Sequence, residues 1–201
     1  MSHIRPISVH SIVLLLLTTI MSFSANPVVN DVNSRQQNVS VTIKGTSTLH
    51  DWEMKSDKGH VEVLLGMGNN DNILGLTTLK FTIEAESLKS GKNAMDKNAY
   101  KALKTGSAKN ISFVLSSAKV SQLNPTTFQI NTLGKLTVAG TTHETGILVN
   151  VKFNKADKSF TATGTKKIKM TEYNVKPPSF MMGSVKTGDE ISISFTTQIV
   201  Q

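Results

Sequence analysis

The chain has 201 residues, a net charge of +8, no cysteine and 5 % aromatic residues; that length fits one domain with or without a processed segment. Without cysteine the protein cannot use disulfides or thiol chemistry, and it cannot carry the lipid anchor of a bacterial lipoprotein, which needs a cysteine. The charge favours acidic partners, but few aromatics and scattered lysines without an arginine cluster describe a solvated basic surface rather than a nucleic-acid site.

Residues 12–21 (IVLLLLTTIM) form an apolar run preceded by Arg5 and followed by the small residues Ser22, Ser24 and Ala25. The run is too short to span a bilayer, which takes roughly 20 apolar residues. It matches the template of a secretory signal peptide, residues 1–25, cleaved near Ser24 or Ala25. The expected product is a periplasmic or secreted protein. Residues 26–37 (NPVVNDVNSRQQ) are polar and aperiodic and are expected to be a flexible leader, which places the folded domain at 38–201.

Period-two alternation, the mark of a strand with one apolar face, begins at Val39, Val41 and Ile43. It resumes at Trp52 and Met54, and again at Val61, Val63 and Leu65, before a turn cluster at residues 66–72 (GMGNNDN). Leu79, Phe81 and Ile83 continue it. Residues 92–105 (KNAMDKNAYKALKT) then break the pattern: Met95, Ala99, Ala102 and Leu103 recur at the spacing of one helical face. Asn93 is placed to cap the N-terminus, with Asp96 near the positive end, Lys101 and Lys104 in the last turn and Gly106 as the C-terminal cap. Such a helix covers something apolar.

Alternation returns at Ile111, Phe113 and Leu115, and Asn124-Pro125 closes the following loop. Phe128, Ile130, Leu136 and Val138 mark a long strand, bent or bulged near Gly134. Ile147, Val149, Val151 and Phe153 follow, then Phe160 and Ala162. Ile168 and Met170 are expected to open a further strand, and Ile191, Ile193 and Phe195 end the set. Eight or nine one-sided strands with short connections specify an antiparallel barrel or sandwich, not a parallel sheet buried on both faces. A closed barrel of about eight strands removes the exposed edges and leaves an interior of ligand size.

Five stretches taken in order carry a family resemblance: residues 45–53 (GTSTLHDWE), 88–103 (LKSGKNAMDKNAYKAL), 109–115 (KNISFVL), 133–142 (LGKLTVAGTT) and 170–195 (MTEYNVKPPSFMMGSVKTGDEISISF). Together they resemble YceI-like proteins, in the variant of Bacteroidetes-type sequences, over about residues 38–198. The resemblance implies an all-β fold: a single antiparallel lipocalin-like β-barrel of about eight strands with one short helix inserted. It also implies an exported protein whose interior takes a long isoprenoid or similar lipid, linked to lipid or quinone handling or to acid or base stress. The opening strand departs from the family's usual pair of histidine signals, with residues 46–52 in their place.

The residues themselves give no catalytic constellation. His50, His60 and His143 form no His-x-His or His-Glu-x-x-His pattern, so no metal is expected. His50 and Asp51 are neighbours, and on an extended strand their side chains point to opposite faces. No G-x-S-x-G motif is present, and no glycine-rich loop leads into the helix, so neither a nucleophile nor a phosphate cradle or cofactor is expected. The candidates for a cavity or its mouth are large apolar residues and the helix face: Trp52, Met54, Phe81, Met95, Ala99, Leu103, Phe113, Phe180, Met181 and Met182. Residues 177–182 (PPSFMM) read as a rim, because consecutive prolines cannot donate a ladder of hydrogen bonds. Lys89, Lys92, Lys97 and Lys176 are expected at the mouth, where they would meet a phosphate or quinone head. The expected ligand is a long-chain lipid or isoprenoid, carried without catalysis by a monomer or homodimer that can contact an anionic membrane surface. The alternative is a filled basic barrel acting as a non-catalytic interaction or stress module at an acidic surface.

Overall fold

The computed structural model describes residues 30–200, so the signal-peptide expectation lies outside the described residues. Nine strands follow one another: β1 (Asn30–Ser47), β2 (Trp52–Met67), β3 (Ile73–Glu84), β4 (Asn110–Asn124), β5 (Thr127–Val138), β6 (Thr141–Asn154), β7 (Ser159–Lys169), β8 (Ser179–Phe180) and β9 (Val185–Val200). Each strand from β1 to β6 pairs antiparallel with the next, β7 pairs with β9, and β9 returns to β1. Eight strands thus close into a barrel, while β8 adds two residues against the start of β9. The expected all-β antiparallel barrel with one helix between strands is the observed fold. Its alternation is plain on β6, where buried Val149, Val151 and Phe153 are interleaved with exposed Asn150, Lys152 and Asn154.

Three local expectations are revised. The first strand starts at Asn30, inside the stretch assigned to a leader, and Asn30–Ser34 pair with Met67–Val63 of β2. A backbone ladder needs no apolar alternation, so a polar segment joins the sheet once a long partner strand offers its free edge. Phe160, Ala162 and Ile168 lie on one strand, and Met170 begins a 3-10 turn (Met170–Tyr173) instead of a new strand. The irregularity expected at Gly134 falls on the facing strand: the register shifts between Leu115 and Ser117 of β4. Gly134 is the smooth side of that bulge, and a Cβ there would strike the Phe113 ring and the Val114 carbonyl. Gly164 stands under Phe195 in the same way, and such glycine–aromatic pairs let a sheet curve into a small barrel.

The two ends of the barrel differ. The β2–β3, β4–β5 and β6–β7 turns gather at one end, where Phe128 and Phe160 are fully buried. The Phe153 and Phe160 rings lie 4.9 Å apart, and a Lys158–Asp71 ion pair of 3.2 Å joins two of the turns. That end is plugged. The opposite end carries the helix α1 (Asn93–Ala102), the β1–β2 loop and the connection from β7 to β9.

Candidate functional site

The helix is fastened to the barrel before it begins. Lys55 of β2 and Lys89 exchange both backbone hydrogen bonds at 2.8 Å, which anchors the segment leading into α1. Asn93 is not the cap; it is already the first helical residue, and the capping position, Lys92, offers no side-chain bond. Buried Asp96 supplies the constraint, accepting from the Ser90 amide at 2.8 Å and the Ser90 hydroxyl at 2.6 Å. At the other end Lys104, not Gly106, takes the left-handed conformation with φ 57°. Thr105 N–H then donates to the Tyr100 carbonyl at 3.1 Å and Lys104 N–H to the Lys101 carbonyl at 3.2 Å, the paired bonds of a Schellman ending.

The outer side of α1 is held by polar contacts. The Tyr100 hydroxyl lies 2.9 Å from the Glu86 carbonyl and 2.8 Å from the Leu88 carbonyl, and accepts from Lys89 Nζ at 2.7 Å. Thr105 Oγ1 donates to Glu86 Oε1 at 2.7 Å. The hydrogen bond to Tyr100 raises the Lys89 pKa and commits that ammonium away from the mouth.

Asp96 gives this anchor a pH dependence. Burial works against its charge, but the two Ser90 bonds and the nearby Lys89 outweigh it and hold the carboxyl below its usual value. A depressed carboxylate adds stability that is complete above the unfolded value near pH 4 and is lost as pH falls through the folded one. Asp96→Asn is therefore expected to lower the melting temperature by a few degrees at pH 7. The difference from wild type should shrink below about pH 4, as followed by circular dichroism melts. A gap that stays constant down to pH 2 would remove the carboxylate from this role.

Under the inner face of α1 lies a mouth cavity of about 360 Å3. Among the sequence-predicted residues, Trp52, Met54, Met95, Ala99, Leu103 and Phe180 line it. Trp52 is oriented by its indole N–H, which donates to the Thr46 carbonyl at 3.0 Å, and by Gly45, over which its ring lies. A second cavity of about 170 Å3 lies inside the barrel and is lined by Phe81 and Phe113. Leu103, Leu88, Ile43, Val138, Ile168 and Ile191 line both, so the two compartments meet at this ring of side chains. Met182 is fully exposed and lines neither cavity. The side chain of Met181 lies outside the described residues.

Sequence reasoning passed over part of the wall. Tyr173 lines the mouth from a 3-10 turn that has no periodicity to announce it. Burial raises its phenol pKa, and its hydroxyl lies 3.0 Å from Thr145 Oγ1, while the His143 ring meets it edge-on at 5.2 Å. Ile168 and Ile191 were visible as alternating residues but carried no sign of which height in the barrel they occupy. Of the four lysines expected at the mouth, Lys92 lines it, Lys89 is bonded to Tyr100, and Lys97 and Lys176 are exposed. His50 also lines the mouth, with Nδ1 2.8 Å from the Asp51 carbonyl, whereas His60 and His143 lie on other elements.

The architecture has relatives. It is similar to Burkholderia cenocepacia BcnA, with a TM-score of 0.63 at 20% identity, covering 81% of this chain and 96% of that one. It is also similar to a polyisoprenoid binding domain from Saccharophagus degradans, implicated in plant cell wall breakdown, with a TM-score of 0.61 at 10% identity over 83% of this chain and 98% of that one. The Campylobacter jejuni YceI protein gives a TM-score of 0.53 at 14% identity over 72% of this chain and 84% of that one. At these identities the likeness is one of fold. No curated protein matches the chain. The sequence description of the YceI-like domain matches residues 30–199, from the first residue of β1 almost to the last of β9. The chain belongs to the YceI-like family.

Proposed function

We propose that this protein is an exported, soluble, non-catalytic lipid carrier that holds one long apolar chain for transport, storage or sequestration. The observation that carries this reading is the pair of apolar compartments beneath α1 that share Leu103 and Leu88 in their linings. A long hydrocarbon chain buries several hundred Å2, which at about 25 cal/mol per Å2 gives on the order of 10 kcal/mol before association costs of several kcal/mol. Micromolar or tighter binding then needs no reactive group. The Saccharophagus relative is described as a polyisoprenoid binding domain, which favours an isoprenoid or similar amphiphile as the class of cargo.

The apolar run at residues 12–21 supports export, and the lack of cysteine favours a soluble protein over a lipoprotein. Cargo has to pass between mouth and membrane, and the rim suits that step. Leu49 and Met182 are 69% and 108% exposed. The β1–β2 loop that holds Leu49 is bonded to the start of β9 through Thr48 N–H and the Lys186 carbonyl at 3.0 Å. Exposed Lys176 and Lys186 flank Met182 in the chain, and Lys186 is the residue bonded to the loop of Leu49, a combination that favours an anionic bilayer surface.

Native mass spectrometry of the purified protein, followed by organic extraction, tests the reading. A discrete adduct matching a polyprenyl, quinone or fatty acyl species supports the carrier and names its cargo. A clean apo mass, unmoved by added isoprenoids, with salt-sensitive binding to anionic vesicles, would replace it with the filled basic barrel that acts as an interaction module at an acidic surface.

A further inference from the structure

The inner cavity ends on a closed floor. Val63 of β2, Val149 of β6 and Ala162 of β7 line it. The next inward residue of each strand toward the plugged end, Leu65, Val151 and Phe160, is buried and does not line it. Below that level the Phe153 and Phe160 rings and the turns close the barrel. The wall above the floor presents hydrocarbon to the space. Thr132 and Thr197 also belong to it, but their hydroxyls donate to the Ile147 carbonyl at 2.8 Å and the Asn38 carbonyl at 2.9 Å. Such a compartment has no means of recognising a head group and suits the end of a chain.

Volume then sets a length. An apolar cavity of roughly 150 Å3 takes one benzene molecule, or about 25 Å3 for each carbon. On that scale the mouth cavity of about 360 Å3 holds about 14 carbons, and the inner one of about 170 Å3 holds about six or seven. The side chains that line both, Leu88, Leu103 and Ile168 among them, are aliphatic, so a chain threading from one space to the next meets hydrocarbon throughout. We infer that the cargo's chain is about 20 carbons long, the length of four isoprene units, and that Ala162 at the floor sets this limit; the inference rests on the carrier reading above. A longer chain would have to displace Phe160 and Val151, so its excess stays outside the mouth and loses its burial. A shorter one leaves the inner space empty and forfeits its packing contacts. Ala162 has the smallest side chain of the inner lining, so bulk added there shortens the space.

The test offers the delipidated full chain prenyl alcohols of two, three, four, five and nine isoprene units from phosphatidylcholine vesicles. The quantity read is the alcohol that stays with the protein once the vesicles are removed. In wild type, uptake is expected to be greatest at four units and to fall about tenfold or more with each further unit, because the excess leaves a bilayer for water. Ala162→Phe adds a ring of benzene size to a space of that size, so the maximum should move to three units with uptake of the three-unit alcohol retained. Ala162→Leu, a smaller addition, should lower the ratio of four-unit to three-unit uptake. Wild-type uptake as strong at five or nine units as at four, or a length profile unchanged in both variants, overturns the limit and leaves the carrier reading standing. Uptake of none of the alcohols by any form overturns the carrier reading itself. If Ala162→Phe fails to fold, the wild-type series and Ala162→Leu still decide.

Discussion

A double substitution of Met95 and Leu103 by aspartate is expected to weaken retention of a bound hydrocarbon chain on the order of 100-fold or more, with strand content unchanged by circular dichroism. Both residues line the mouth cavity, and Leu103 also borders the inner one. Two carboxylates there would face hydrocarbon without a partner, and that cost falls on the bound state. The barrel should tolerate the change because α1 is fastened by other groups: Asp96 to Ser90, Tyr100 to the carbonyls of Glu86 and Leu88, and Thr105 to Glu86. The measurement is lipid recovered by extraction per mole of protein, read beside the far-ultraviolet spectrum. Undiminished lipid recovery would sink the role given to the helix.

The second large effect is on stability. Phe160→Ala should cost about 3–5 kcal/mol, the range for removing a buried aromatic ring. Phe160 is 0% exposed, packs against Phe153 at 4.9 Å, and faces Ile199 across the β7–β9 ladder at the plugged end. Neither the mouth cavity nor the inner one reaches this ring, so its loss opens a void that neighbouring strands cannot fill by sliding. Urea denaturation of wild type and variant gives the difference directly. A cost below about 1 kcal/mol would mean that this end is loosely packed, against the burial of Phe128 and Phe160.

Much of the barrel could be read in advance because alternation is a local signal. Val149, Val151 and Phe153 show which face is inward without reference to any other strand. The helix was equally plain, since Met95, Ala99, Ala102 and Leu103 share one face at a spacing of 3.6 and cannot share one at a spacing of 2. Its ends were not. Asn93 had the right side chain for a cap, but the segment from Leu88 to Lys92 is held by β2 and directs Ser90 toward Asp96. Gly106 had the right freedom for a C-terminal turn, yet the helix stops earlier, where Lys104 accepts a positive φ in return for two backbone bonds.

The site divides along the same line. The fold class, the presence of one covering helix and a set of apolar side chains suited to hydrocarbon are legible along the chain, because these depend on period and composition. Tertiary structure alone decided which of those side chains face a space. It put Phe180 on the mouth wall and Met182 in water, two residues apart, because Met182 lies in a turn at φ 55° beyond the two-residue pairing of β8. It set the height at which each inward residue stands, which comes from the registers of β7 with β9 and β9 with β1 and is written in no single strand. Ile168 is the clearest case: in the sequence it is one of many alternating apolar residues, and only closure of the barrel turns its parity on β7 into a place bordering both cavities.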